Sequence, residues 1–344
     1  MKDEGGKKGL TSWPKSMLLL WLGLAAVAAA REDDGRLGLL RTPNNGMPAI
    51  VQPGSTFVVE TLEKAELSLL RDSARVPLGV TWKEAPGSRF RGEVSVPTHA
   101  SAGAYALEAK TNGSTDTTAR AVFIVDAFPD YYVLAHLSDT HIGSDRHAQA
   151  SEVIVGQVIS AVNASEASLA LVTGDLADQG TPEQFQKFLE VLDTCRVPTF
   201  VCPGNHDREG QNYENYFGPV TYSFLYGRDG YLAFDTKDFV IADEVGTQDG
   251  ELQVMRRAIK PQRWSMGFTH RYDASMGMRA QLTLFVDDPL DYLFFGHWHR
   301  ENTAEEAIVP WGTTKVSVVP AAIDGAYRLI DVTESRVLFR PVQR

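Results

Sequence analysis

Five times between residues 130 and 300 of this chain, an apolar strand-like run stops abruptly at a polar cluster. The clusters are Asp139-Thr140-His141, Gly174-Asp175-Leu176-Ala177-Asp178, Gly204-Asn205-His206-Asp207, Thr269-His270 and Gly296-His297-Trp298-His299. Short apolar runs read as strands buried on both faces. The carboxyl ends of such strands are where ligand sites form in open α/β sheets. Where a glycine is present, it lets backbone and ligand approach closely as the strand turns away. Five of the eight histidines fall in these clusters, a concentration that packing does not explain.

The surrounding pattern predicts the scaffold. Tyr131 to Leu137, Leu169 to Val172, Pro198 to Cys202, Trp264 to Phe268 and Tyr292 to Phe295 read as strands. His147 to Val162, Thr181 to Leu192 with its Thr-Pro start, and Asp249 to Ile259 read as helices. Val316 to Val319, Tyr327 to Val332 and Val337 to Phe339 close the chain as β structure. Residues 130–344 are therefore expected to be α/β: a sheet layered on a second sheet with helices outside, a four-layer α-β-β-α sandwich.

Residues 47–126 differ. Short β-type runs alternate with turn residues such as Pro86-Gly87 and Asn112-Gly113-Ser114. That spacing predicts a small all-β sandwich ahead of the α/β part. Pro53 to Val59 and Gly103 to Leu107 resemble immunoglobulin-like or fibronectin-like accessory domains, with Tyr105 a candidate corner tyrosine. Ala127 to Asp130 reads as the boundary, and residues 31–46 as a linker.

At the start, Lys7, Lys8 and Lys15 precede the apolar run Met17 to Ala30, which ends in three alanines. A charged head, a short apolar body and small terminal residues describe a signal peptide over residues 1–30. The run is short of the roughly 20 residues a membrane span needs. Export with cleavage near Ala30 is expected, with a membrane-anchored protein whose catalytic part faces outward as the alternative. Cys195 and Cys202 are separated by a predicted strand too extended to bridge, so both thiols are expected to be unpaired. A formal net charge of -11 argues against a general nucleic-acid or membrane-surface binder.

The five clusters, in this order, resemble the calcineurin-like metallophosphoesterase superfamily. The resemblance runs from about Tyr131 to Thr333, and Ala322 to Ile330 is similar to the close of its cyclic-nucleotide-phosphodiesterase-like branch. It implies two divalent metal ions. Asp139, His141 and His299 would hold one; Asn205, His270 and His297 the other; Asp175 would bridge them. His206 would stand near the leaving oxygen as the catalytic residue. Purple acid phosphatases, a related branch, have tyrosine where Asp178 stands, so no tyrosinate–iron chromophore is implied.

The chemistry agrees. Two cations about 3.5 to 4 Å apart need a shared anionic ligand. Imidazole donors select Mn, Fe or Zn over Mg and Ca. The implied reaction is hydrolysis of a phosphomonoester or phosphodiester, with a metal-bridging hydroxide as nucleophile. The partner is then a phosphorylated small molecule or a phosphodiester. Asp178 and Asp207 are expected to orient ligands or cap helices, His136 to be a hydrogen-bonded core residue, and His147 to be an exposed helix residue. Arg208, Arg271, Tyr272, Trp298 and Arg300 flank the clusters and are candidates for substrate contact. The competing readings are a non-catalytic binding protein on the same scaffold and an adhesion module built on the β sandwich.

Overall fold

The computed structural model describes residues 34–87, 89–236, 247–271, 283–301 and 313–344. The expected signal peptide and Tyr272 lie outside the described residues. No helix among the described residues is long and apolar enough to cross a membrane.

The first part is all β. Its strands are β1 (Leu40–Thr42), β2 (Ala49–Val51), β3 (Thr56–Thr61), β4 (Glu66–Arg71), β5 (Ala74–Ala85), β6 (Arg89–Ser95), β7 (Gly103–Lys110) and β8 (Thr115–Ile124). They join in the order β1-β3-β6-β5-β4-β7-β8-β2. β3 alternates exposed and buried residues, the period-2 signature of a strand with one face on a core. β5 changes partner midway: residues up to Leu78 pair with β4, and residues from Gly79 pair with β6. Both ladders send side chains into one core, including Val59, Val94, Leu69 and Leu107. Tyr105 is buried, and its hydroxyl donates to the Ser101 carbonyl at 2.8 Å, four residues upstream, as a corner tyrosine does.

The stretch read as a linker is partly structured. Leu40–Thr42 pairs with β3, and Leu40 is fully buried. Three residues are too few for a periodic signal. The same stretch helps tie the β strands to the α/β part. Arg120 of β8 donates to the Asn45 side chain at 2.6 Å and to the Val197 carbonyl at 2.7 Å.

The second part is the expected α/β structure. In chain order it comprises β9 (Tyr132–Leu137), α1 (Ser151–Ala164), β10 (Ala167–Thr173), α2 (Pro182–Leu192), β11 (Thr199–Cys202), α3 (Asn212–Phe217), β12 (Tyr222–Tyr226), β13 (Asp229–Ala233), α4 (Thr247–Ile259), β14 (Ser265–Phe268), β15 (Tyr292–Phe295), β16 (Lys315–Val318), β17 (Tyr327–Val332) and β18 (Val337–Gln343). A short 3₁₀ turn spans Ala322–Asp324. The sheets run β11-β10-β9-β17-β18 and β12-β13-β14-β15-β16.

Burial explains the layers. Every residue of β9 is buried. Val133, Ala135 and Leu137 face α1, α2 and α3 through Val155, Phe185 and Phe217. Tyr132 and Leu134 face the other way, against Tyr231, Phe268 and Phe294 of the second sheet. Leu232, Leu293 and Phe295 cover that sheet's far side together with Leu252 and Ile259 of α4. Truncating a residue such as Leu134 to alanine would cost about 2–5 kcal/mol.

β9, β10 and β11 are mutually parallel, as are β13 to β16. The polar clusters following β9, β10, β11, β14 and β15 converge on one edge. Cys195 and Cys202 are buried and unbridged. Thr181 caps α2, its side chain accepting from the Gln184 N–H at 3.4 Å. α1 begins at Ser151, so His147 is not a helix residue; it lies exposed in the preceding loop, 2.8 Å from the Asp324 carboxylate.

Candidate metal centre

Backbone hydrogen bonds stitch the strand ends together. Asp139 N–H donates to the Gly174 carbonyl, His141 N–H to the Asp175 carbonyl, and Gly296 N–H to the His270 carbonyl. These turns are tight. Asp139, His141, Asp175, His297 and His299 all have positive φ, between 40° and 72°. Among the described non-glycine residues only Asp72 and Arg120 share that conformation. Each such residue costs on the order of 1–3 kcal/mol, and such strain clusters at functional sites. The glycines are required by contact. A Cβ on Gly204 would collide with the Asp175 carboxylate, and one on Gly296 with Ser138 and Asp139.

The six predicted histidine and aspartate ligands come together as two nests. Asp139, His141 and His299 form one; Asp175, His270 and His297 form the other. His206 joins Asp175 and His141 in a third overlapping group. Asp175 lies between the nests: its Oδ2 is 3.0 Å from His270 Nε2 and 3.7 Å from His141 Nε2. Asn205 is exposed and lines the same cleft, whose volume is about 290 Å³.

Three observations show that these residues fit metal ions. Asp139 Oδ1 is buried without a hydrogen bond and faces the Nε2 atoms of His299, His141 and His270 at 3.2, 3.9 and 4.0 Å. Two imidazole pairs confront each other nitrogen to nitrogen at 3.2 Å: His141 with His299, and His270 with His297. Two nitrogens bound tetrahedrally at about 2.0–2.1 Å to one ion stand roughly 3.3–3.4 Å apart, close to what is seen. The donor set, imidazole with carboxylate, suits Mn, Fe or Zn.

The metal-free electrostatics carry the same imprint. Burial raises the Asp175 carboxyl, but His270 and the His206 backbone N–H outweigh it and pull it to about 2. Burial lowers His270, yet Asp175 and Asp139 lift it to about 9. A proton on His270 thus stands where a cation's charge would. His299 is raised by the adjoining Asp139 carboxylate, whereas burial lowers His141 and His297.

The supporting residues take distinct places. Asp207 is buried and accepts from the backbone N–H groups of Leu176, Ala177 and Gly204, which locks two ligand-bearing turns together. Asp178 holds its carboxylate 3.3 Å from His141 Nδ1 and its carbonyl 2.6 Å from His206 Nδ1. Thr173 offers its carbonyl to Ser138 and to His270 Nδ1. His136 is fully buried, 3.0 Å from the Thr173 hydroxyl, and burial with Arg328 nearby lowers it to about 3. Arg208 is engaged with Glu214 and Asp235. Trp298 packs on Phe295 and His297. Sequence reasoning missed Arg146, Ser144 and Asp324: the first two lie in the loop after the first cluster, and Asp324 is brought in from near the chain's end.

Residues 132–301 match the family model of the calcineurin-like phosphoesterases. These residues are a calcineurin-like phosphoesterase domain. β17 and β18 lie beyond the match but complete the domain's first sheet. The chain is 36% identical over 81 residues to a glycerophosphodiester phosphodiesterase of Enterobacter lignolyticus, covering 22% of this chain and 29% of that protein. It is 24% identical over 191 residues to a probable cyclic nucleotide phosphodiesterase of Fibrobacter succinogenes, covering 50% and 74%. A probable cyclic nucleotide phosphodiesterase of Coxiella burnetii is 32% identical over 33% of this chain and 45% of its own length. Two of these three relatives are thus matched over less than half their length. A purple acid phosphatase from yellow lupin shares the phosphoesterase fold, with a TM-score of 0.55 at 12% identity over 89% of this chain and 72% of that one.

Proposed function

We propose that this protein hydrolyses phosphate esters with two divalent transition-metal ions, diesters being its preferred class. The observation that carries the reading is the Asp175 carboxylate lying between two nests of imidazoles, each with its own short nitrogen–nitrogen pair. Asp139, His141 and His299 would hold one ion, and Asn205, His270 and His297 the other, with Asp175 shared. Bound ions would supply charge neutralisation at phosphorus and a nucleophile at neutral pH.

The chain's own groups do the rest. In the reaction water oxygen bonds to phosphorus, the P–O bond to the leaving group breaks, and the departing oxygen takes a proton. His206 is the group for that last step. Its Nδ1 donates to the Asp178 carbonyl and its backbone N–H to Asp175, which fixes the ring; in the imidazolium form its Nε2–H would pass a proton to the departing oxygen, and the proton given up by the attacking water would restore it. Relatives named for glycerophosphodiesters and cyclic nucleotides support a diester substrate. The Met17 to Ala30 segment supports action outside the cytoplasm, to be checked by finding whether the exported protein begins near Arg31.

The test uses bis-p-nitrophenyl phosphate and p-nitrophenyl phosphate with Mn, before and after chelation. Hydrolysis abolished by chelator and restored by Mn supports the reading; hydrolysis that survives chelation ends it.

A further inference from the structure

We infer that Arg146 is a substrate-anchoring residue of the phosphoesterase site, a preset arm that takes an anionic phosphate oxygen. The inference rests on the phosphoesterase reading above but concerns a residue outside the metal nests.

Arg146 lines the cleft on the side of the Asp139 nest, with Ser144, while Asn205 and His206 line it as well. Its side chain is 48% exposed, so the guanidinium is reachable by a ligand. It is nevertheless held. Nε and Nη2 each lie 3.3 Å from an oxygen of the Asp324 carboxylate, and Nη1 lies 2.9 Å from His299 Nδ1. Asp324 is itself anchored to the site's frame. The 3₁₀ turn that carries it donates from Ala322 N–H to the Ser138 carbonyl at 2.7 Å and from Ile323 N–H to the Asp139 carbonyl at 3.2 Å. The arm is therefore braced against the backbone of the Asp139 cluster.

A guanidinium has five N–H donors. The three contacts occupy three of them and leave two for a ligand. An imidazole that lends Nε2 to a cation carries its proton on Nδ1. Nη1 then loses its acceptor on His299, and a third donor becomes available. A fork of this kind fits phosphate oxygens, and the bracing means little side-chain freedom is lost on binding.

Charge sets the specificity. A phosphomonoester carries close to two negative charges above pH 7, and a diester carries one. One cationic group at the rim therefore favours the monoester, and removing it penalises the monoester more. Arg146 thus works against the diester preference proposed for the metal centre and sets how far monoesters are accepted.

The test compares Arg146→Ala and Arg146→Lys with the wild-type chain, all loaded with Mn. Metal content is measured first, then KM and kcat for p-nitrophenyl phosphate and bis-p-nitrophenyl phosphate, then inorganic phosphate binding by calorimetry. Arg146→Ala is expected to keep its metal, to raise KM for the monoester about tenfold and for the diester about threefold, to change kcat little, and to weaken phosphate binding about tenfold. Arg146→Lys, which keeps the charge but not the fork, is expected to fall between. Unchanged KM and unchanged phosphate affinity would overturn the inference, as would loss of metal, which would mean that Arg146 acts on the metal nest and not on substrate. If the wild-type chain turns over neither ester, the hydrolase reading fails by itself, and the calorimetry still decides whether Arg146 holds phosphate.

Discussion

The carboxylate of Asp175 and the imidazole of His270 meet at 3.0 Å, Oδ2 to Nε2, buried side by side. Asp175 reaches toward His141 with the same oxygen. A single residue therefore touches both nests. Asp175→Asn keeps the shape and removes the charge that two cations would share. It is expected to lower metal content and to reduce kcat/KM by more than about 100-fold, beyond the loss typical of an outer-shell residue. Elemental analysis with a diester assay checks this, and an Asn variant with full metal and full activity would contradict it.

The same pair predicts a pH signature in the metal-free chain. His270 is raised to about 9, so its extra stabilisation is fully present below about pH 6.5 and is lost as pH climbs through 9. Asp175 is depressed to about 2, so its contribution is present above about pH 4 and is lost as pH falls toward 2. In the proposed scheme an ion would take the place of the His270 proton. The Tm difference between Mn-loaded and chelated protein should therefore widen from pH 6.5 to 9, and metal affinity should rise over the same window. A constant difference would mean that His270 does not exchange its proton for metal.

His206 makes no direct claim on the metals in the proposed scheme, so its loss should depend on the leaving group. His206→Ala is expected to slow hydrolysis of an alkyl phosphodiester by about 100-fold or more, and that of a p-nitrophenyl ester much less, because nitrophenolate departs without a proton. Equal losses with both would argue that the residue only positions Asp175 or substrate.

Two glycines separate site geometry from general stability. Gly204→Ala would drive a Cβ into the Asp175 carboxylate and backbone. About 1–3 kcal/mol of stability and at least tenfold of activity should be lost. Gly156 sits on α1, and a Cβ there would meet nothing within 4 Å, so Gly156→Ala should gain about 0.5–1 kcal/mol and leave activity alone. Thermal melts with parallel assays distinguish the two.

Much of the fold and site is legible in residue order because the ligands sit at ends of continuous apolar strands. Tyr292–Phe295 can be read to the residue, since burial on both faces leaves no polar position to blur its ends, and Tyr327–Val332 is legible as well, although Arg328 and Asp331 interrupt its apolar run. The hairpin of β12 and β13 escapes the strand pattern, although Gly227-Arg228 between two aromatic runs is a two-residue turn signal. α3 escapes it too; its Tyr213, Tyr216 and Phe217 follow helical spacing over barely two turns. β1 and β2 hold three residues each, too short for any period. The positive φ of Asp139 and His299 has no sequence signal at all, because only the packed turns around them impose it. The bracing of Arg146 by Asp324 spans 178 residues and is invisible without the fold.

Two cations are proposed to sit astride Asp175. Anomalous diffraction at the Mn edge, from crystals grown with Mn, measures that most directly. Two peaks are predicted, one among Asp139, His141 and His299 and one among His270, His297 and Asn205, with the Asp175 carboxylate between them. A single peak, or none within reach of Asp175, would contradict the account.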